Sequence, residues 1–285
     1  MRQNHLGAAW LNRGHALLLA SDHAAITSFE NAIAALTFGA IRDNPSARRN
    51  LAGAHTNLAH ALLSSVPGGA EDPAPAGGPP SPRIAAPEAA SKLGPDTRGR
   101  AQADLLRAAQ SARAALSTVN GYERQHLDFA AMSLRARRAL VMALGGLLAD
   151  ADHAGAATVE LIAEASDTIE EGLALALTLR PADFRKLRPL AERLFRLGIQ
   201  VYSRHQPHFL GEFVLDLLSS PSFAQEATFR EIARTALTEA LTQERWRPPL
   251  LVAGTPAAER ALLTARSLRA ARDELALRLP RAPEP

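Results

Sequence analysis

The sequence predicts an all-α protein built of antiparallel helix pairs, with one long Pro/Gly-rich insert that reads as disordered. Three observations carry this. Ala and Leu dominate an apolar content of 47%, while aromatic residues make up only 5%, so strong helix formers abound and strand builders are scarce. Apolar residues recur at three- and four-residue spacing, the period of one helix face. The breaks between these stretches are short, which folds each helix back against its predecessor.

From the start of the chain, helices are expected at 6–20, 22–38 and 46–65. Asp22 and Ser46 suit the position ahead of a first turn, where a side-chain oxygen accepts from otherwise unpaired backbone N–H groups. Residues 66–98 are dense in Pro, Gly and Ala and hold few large apolar groups. Proline blocks helix, and little burial is available there to offset the entropy of ordering. The stretch therefore reads as a disordered or polyproline-like surface insertion. Its other reading is a Pro-rich docking motif at Gly78-Pro79-Pro80-Ser81-Pro82.

Beyond the insert, helices are expected at 99–119, 122–149, 154–179, 181–203, 207–218, 222–246 and 256–279. Pro181 and Pro207 suit a first helical turn, and Ser222 follows Pro221. Leu187, Leu190, Leu194, Leu197 and Val201 form one apolar stripe, with Arg185, Arg188, Glu192, Arg193 and Arg196 mostly off it. Phe209, Leu210, Phe213, Val214 and Leu217 form a second stripe on a shorter helix. Helices of this kind must bury their stripes against neighbours.

Composition excludes several functions. The absence of cysteine removes disulfides, zinc–thiolate sites and cysteine nucleophiles. Residues 1–19 lack the apolar core of a secretory signal. The longest apolar run, Leu140 to Ala149, is far short of the roughly 20 residues that cross a bilayer. A cytoplasmic protein with no membrane partner is the expectation. The net charge is only +3, although the pI is 9.9. Nearly all the bases are arginine, since Lys92 and Lys186 are the only lysines, and arginine holds its charge to very high pH. Nucleic-acid binding does not follow from that pI.

Nine histidines invite a search for metal sites. His55 and His60, five apart on a helix, point about 140° away from each other, unlike the four-residue spacing that joins two ligands. Pro207 separates His205 from His208, and His126 with Asp128 is too short a motif to weigh. No His-Glu-x-x-His or Gly-x-Ser-x-Gly occurs. Gly145-Gly146 follows no strand, so it is no phosphate loop. Glu160, Glu164, Asp167, Glu170 and Glu171 share one helix; a solvated acidic face is preferred there to a catalytic carboxylate pair. No catalytic, cofactor-binding or metal-binding residue is expected, and the chain does not read as an enzyme. Arginines cluster at Arg135, Arg137 and Arg138, from Arg185 to Arg196, and at Arg260, Arg266, Arg269 and Arg272. They read as solvated or inter-helix arginines, with a nucleic-acid-binding helical array as the alternative.

The first 40 residues resemble a tetratricopeptide repeat, two antiparallel helices in a unit of about 34 residues. Trp10, Gly14 and Leu17 match the first helix, where the small residue lets the second approach closely. Ala25, Phe29 and Ala32 match the second helix, and the connection is one residue shorter than the family norm. A second unit begins at Asn50, with Asn57-Leu58-Ala59 in the place of Asn12-Arg13-Gly14. Its partner helix, from Ala103 to Ala115, lies beyond the insert.

The resemblance implies an α-solenoid whose concave face, lined by the first helices, binds an extended peptide or a partner's helix. The lining would be Leu11, His15 and Leu18 in one unit and Thr56, Asn57, His60 and Leu63 in the next. Asn57 matches an asparagine of those members that clamp a terminal carboxylate. Leu11 and His15 depart from the clamp's lysine and second asparagine, which speaks against that ligand. The expected organisation is a repeat and a half at 1–65, the insert at 66–98, further repeats at 99–180, and a divergent part or cap at 181–285. The expected function is a protein- or peptide-binding adaptor or scaffold without cofactor, with self-association left open.

Overall fold

The computed structural model describes residues 2–37, 44–67, 94–150, 156–242 and 256–278. Its helices are α1 (Arg2–Leu19), α2 (Ala24–Thr37), α3 (Pro45–Ser65), α4 (Pro95–Val119), α5 (Leu127–Asp150), α6 (Ala156–Leu177), α7 (Pro181–His205), α8 (Leu210–Ser219), α9 (Pro221–Ala224), α10 (Ala227–Thr242) and α11 (Pro256–Arg278). No strand occurs among the described residues, in keeping with the all-α class. Nor is any described helix long and apolar enough to cross a membrane.

Several helix ends move from their expected places for local reasons. Asp22 Oδ1 accepts from the Ala24 N–H at 2.8 Å, as a cap should. At α3 the cap is Asn44 rather than Ser46, accepting from the N–H groups of Ser46 and Ala47. Pro45 takes the first helical position, where its missing N–H costs nothing, and this displaces the cap. Helix α4 starts at Pro95, so 95–98 are helical; residues 68–93 of the expected insert lie outside the described residues. Helix α5 starts at Leu127 instead of 122, because Gly121 turns the chain with φ +82°, a region glycine enters without penalty. The helix expected at 222–246 is two helices, α9 and α10. The break between them sets the Phe229 ring edge-on to Phe223, with centroids 4.5 Å apart.

The chain divides into two compact units, Met1–Leu197 and Gly198–Pro285, with the division inside α7. In the first unit, α1 packs with α2, α3 with α4, and α5 with α6. Gly14 on α1 makes the first of these contacts tight: a Cβ there would stand 2.5 Å from the ring of Phe29, which is fully buried. Gly7, two turns earlier, faces Leu36 in the same way. This is the close approach that the small residue at position 14 was expected to permit.

The first helices of these pairs also touch one another. Gly53 on α3 lies between Leu11 of α1 and Met132 of α5; its Cβ would fall 4.0 and 3.6 Å from them. Arg49 and Asp128 pair at 2.9 Å and join the starts of α3 and α5, which therefore run parallel. The second helices are linked in turn. Arg107 of α4 pairs with Glu30 of α2, and Arg113 of α4 pairs with Glu164 of α6 at 2.6 Å. Exposed pairs of this kind each contribute under about 1 kcal/mol, so they record the alignment of the helices more than they enforce it.

Helix α5 is the centre of this unit. Every residue from Ala139 to Leu148 is buried, as a helix that is apolar all round requires. Gly172 on α6 leaves room for Leu194 of α7, with Arg137 and Leu134 of α5 beside it. Leu187, Leu194, Leu197 and Val201 of the α7 stripe are buried, Leu190 partly, while Arg185 and Arg188 are exposed. The second unit has its own core, in which Tyr202 stacks on Phe213 at 4.4 Å and Gly211 of α8 sits against Ala271 and Ser267 of α11. Phe209, expected in the α8 stripe, is 45% exposed and precedes the first turn, where its ring meets His208.

Candidate functional site

Helical phase sets Leu11, His15 and Leu18 on one face of α1, and Gly53, Asn57, His60 and Ser64 on one face of α3. The contact of Leu11 at Gly53 brings those two faces side by side. His15 is exposed, and Leu11, Leu18 and Asn57 are half-buried. Leu18 also borders a small cleft of 120 Å³ with Asp22, His23, Ala61 and Ser64.

Thr56 and Leu63, expected on the same lining, are buried. Thr56 turns its hydroxyl onto the Ala52 carbonyl at 2.8 Å. Neither presents surface to a ligand. The reason is that α3 is packed by α1, α2, α4 and α5 at once, which leaves only a narrow strip uncovered.

His60 has the most unusual surroundings. Gly53 abuts Met132, and α3 and α5 run parallel. Two turns further along each helix, His60 comes level with Arg138 of α5. Its Nε2 is shut off from solvent and makes no hydrogen bond. Burial, then the charges of Arg138, Arg135 and Arg193, hold its pKa down to about 4. Every charged group acting on His60 is thus an arginine, from α5 or α7. Arg135 is exposed, while Arg138 and Arg193 are half-buried. Among the described residues neither Arg135 nor Arg193 pairs with a carboxylate.

His55 goes elsewhere: its Nδ1 lies 3.3 Å from the Ser111 hydroxyl of α4, and burial lowers its pKa. The two histidines thus share no ligand position. No group of three His, Cys, Asp or Glu side chains gathers as metal ligands among the described residues. On α6, Glu164 is held by Arg113 and Glu171 by Arg137, and Glu160, Asp167 and Glu170 are exposed. The Arg137–Glu171 pair walls a cleft of 550 Å³ that also involves Gly121, Arg124 and Thr178. In the second unit, Arg266 and Arg269 of α11 are exposed and Arg272 pairs with Asp273 at 2.8 Å.

Of the residues expected to bind a partner, the structure joins His60 to arginines that sequence reasoning had assigned to separate clusters. The three-residue spacing of Arg135 and Arg138 was a signal that both share a helix face. Nothing local indicated that α3 and α7 would meet it.

The His60 environment has a measurable consequence. Its folded pKa lies below the unfolded value of 6.5, so the unfolded chain binds the proton more readily. The stabilisation is full above 6.5 and is lost as pH falls towards 4. Acidification from pH 7 to pH 5 should therefore remove about 2 kcal/mol through His60. His55 adds in the same direction. Urea unfolding at the two pH values should show the loss shrinking by that amount in His60→Gln; an unchanged loss would contradict the buried, arginine-flanked placement.

No protein-family model matches the chain, and no curated protein matches it in sequence.

Proposed function

We propose that the first unit is a short tetratricopeptide-like stack of helix hairpins that binds another protein along its first helices, α1, α3 and α5. The observation that carries this reading is the pair of linked ranks: Leu11, Gly53 and Met132 in succession through the first helices, and Glu30–Arg107 with Arg113–Glu164 through the second. Stacked hairpins of this kind offer an extended surface on one rank, which is how helical repeats engage partners. His15 is exposed on that rank and Asn57 partly so, supplying adaptable hydrogen-bonding groups beside the half-buried Leu11 and Leu18.

A photo-crosslinking residue at position 15 tests the reading, with one at the exposed Asn31 of α2 as the opposite-rank control. Crosslinks from position 15 to one defined protein, persisting after nuclease treatment and absent from position 31, are the expected result. Crosslinks only from position 31, or only to nucleic acid, would remove the first-helix rank as the binding face.

A further inference from the structure

The turn between α4 and α5 is held by its own hydrogen bonds. The Tyr122 N–H donates to the Val119 carbonyl at 3.0 Å, and the N–H groups of Gln125 and His126 both donate to the Tyr122 carbonyl. The Tyr122 ring is anchored in turn, 5.4 Å from the ring of Phe129 and 4.4 Å beneath the Arg48 guanidinium. Glu123 and Arg124 ride on this turn and line the 550 Å³ cleft. Among the described residues their side chains make no hydrogen bond or ion pair.

Arg137 of α5 and Glu171, Ala174, Leu175 and Thr178 of α6 form more of the same lining, the α6 residues at the three-four spacing of one helix face. The Arg137 side chain is only 14% exposed. Its stem passes α6 at Gly172, where a Cβ would stand 2.9 Å from the arginine Cδ. Glu171 takes Nη1 at 2.5 Å, and Nε is shut off from solvent without a partner. Nη2 makes no hydrogen bond among the described residues either, but it is not shut off. A guanidinium held in this way needs little further ordering to receive an acceptor. Thr178 donates its hydroxyl proton to the Leu175 carbonyl at 2.7 Å, which leaves the oxygen lone pairs to accept from a ligand. The ends of α4 and α6 reach the cleft at Asn120 and Thr178, and helix C-termini add partial negative charge there.

With Arg137 and Glu171 paired to each other, the cleft keeps one unpaired base, Arg124, and one unpaired acid, Glu123. A phosphate dianion would meet two carboxylates, and a lone carboxylate or ammonium would answer only one of the two free charges. A molecule that carries both groups answers both. The cleft volume of 550 Å³ falls within the roughly 300–1,000 Å³ of small-molecule sites, and Ala174 and Leu175 offer apolar surface to an aliphatic side chain. We infer that this cleft binds a small zwitterion, an amino acid or a short peptide. Its carboxylate is received by Arg124 and by Nη2 of Arg137, and its ammonium by Glu123, with the Thr178 oxygen as a further acceptor.

The test is calorimetric titration of the full chain with L-leucine, with L-leucyl-L-alanine, and with the N-acetyl and C-terminal amide forms of each. The unblocked compounds should bind about tenfold more tightly than either blocked form, since each block removes one charge-assisted contact. Arg124→Gln should lose the discrimination against the amides and keep that against the acetyl forms, and Glu123→Gln should do the reverse. Neither side chain holds a partner, so both variants should melt like the wild type. Backbone amide resonances of residues 120–125 and 171–178 should shift on titration and place the ligand in the cleft. Leucine binding as tightly as the dipeptide assigns the site to free amino acids, and tighter dipeptide binding assigns it to short peptides; both support a zwitterion site. Unblocked compounds that bind no better than the blocked ones overturn the inference, as does undiminished binding by the folded Arg124→Gln and Glu123→Gln variants.

Discussion

Alanine in place of Phe29 should lower the unfolding free energy by about 3–5 kcal/mol, the usual cost of emptying a buried aromatic site. The ring is fully buried and rests where the missing Cβ of Gly14 would be. Its removal therefore takes away both the apolar contact of α2 and the filling of the notch on α1. The converse change, Gly14→Ala, gains about 1 kcal/mol of helix propensity but drives a methyl group into an aromatic ring that has nowhere to move. Overpacking of this kind costs about 1–3 kcal/mol, so the variant should be destabilised or at best neutral despite the better helix former. In Gly14→Ala/Phe29→Leu the smaller side chain makes room, and the double variant should be more stable than the sum of the two single losses. Chemical unfolding of all four proteins measures the coupling. Strict additivity would show that Gly14 and Phe29 are not in contact.

A charge at the centre of α5 should do more damage still. Leu144 is fully buried within the unbroken buried run from Ala139 to Leu148. Leu144→Asp loses a large apolar contact and buries a carboxylate with no partner. Losses beyond about 4 kcal/mol are confined to mechanisms of this kind, and for a domain of ordinary stability the result is failure to fold. The control is Val159→Asp on α6, where the wild-type side chain is 68% exposed; a change at such a site should stay within about 0.5 kcal/mol. Circular dichroism and thermal melts of the two variants suffice. If Leu144→Asp melts like Val159→Asp, α5 does not run through the middle of the first unit.

These two predictions differ in how much of them could be read from the chain. Gly14 and Phe29 announced their relation through spacing, because both lie in one helix pair joined by a short turn and helical phase is local information. The burial of α5 was foreshadowed by its unbroken apolar run. Its start was not, because Gly121 and the turn after it compete with a helical pattern that continues through Tyr122. The proline that moved the α3 cap to Asn44, and the break between α9 and α10, likewise reflect local competition that periodicity alone does not resolve.

The candidate site was less legible than the fold. Leu11, His15, Leu18, Asn57 and His60 followed from the resemblance to a tetratricopeptide repeat, and the faces of α1 and α3 that carry them do lie side by side through Leu11 and Gly53. Thr56 and Leu63 followed from the same resemblance and proved buried, because a repeat pattern gives a residue's place on its helix and not the number of helices packed around it.

By itself, then, the sequence determined the all-α class, the alternation of helix and turn, and the pairing of α1 with α2 through a glycine notch. Each of these follows from residue propensities and from a period that neighbouring residues share. Tertiary structure alone decided that the charges of Arg135 and Arg138 of α5 and of Arg193 of α7 act on His60 of α3. Those residues are distant in the chain, and they meet only because parallel first helices set His60 level with Arg138 while Gly172 lets α7 close against α6. Such a meeting depends on how several helices pack at once, which no local pattern encodes.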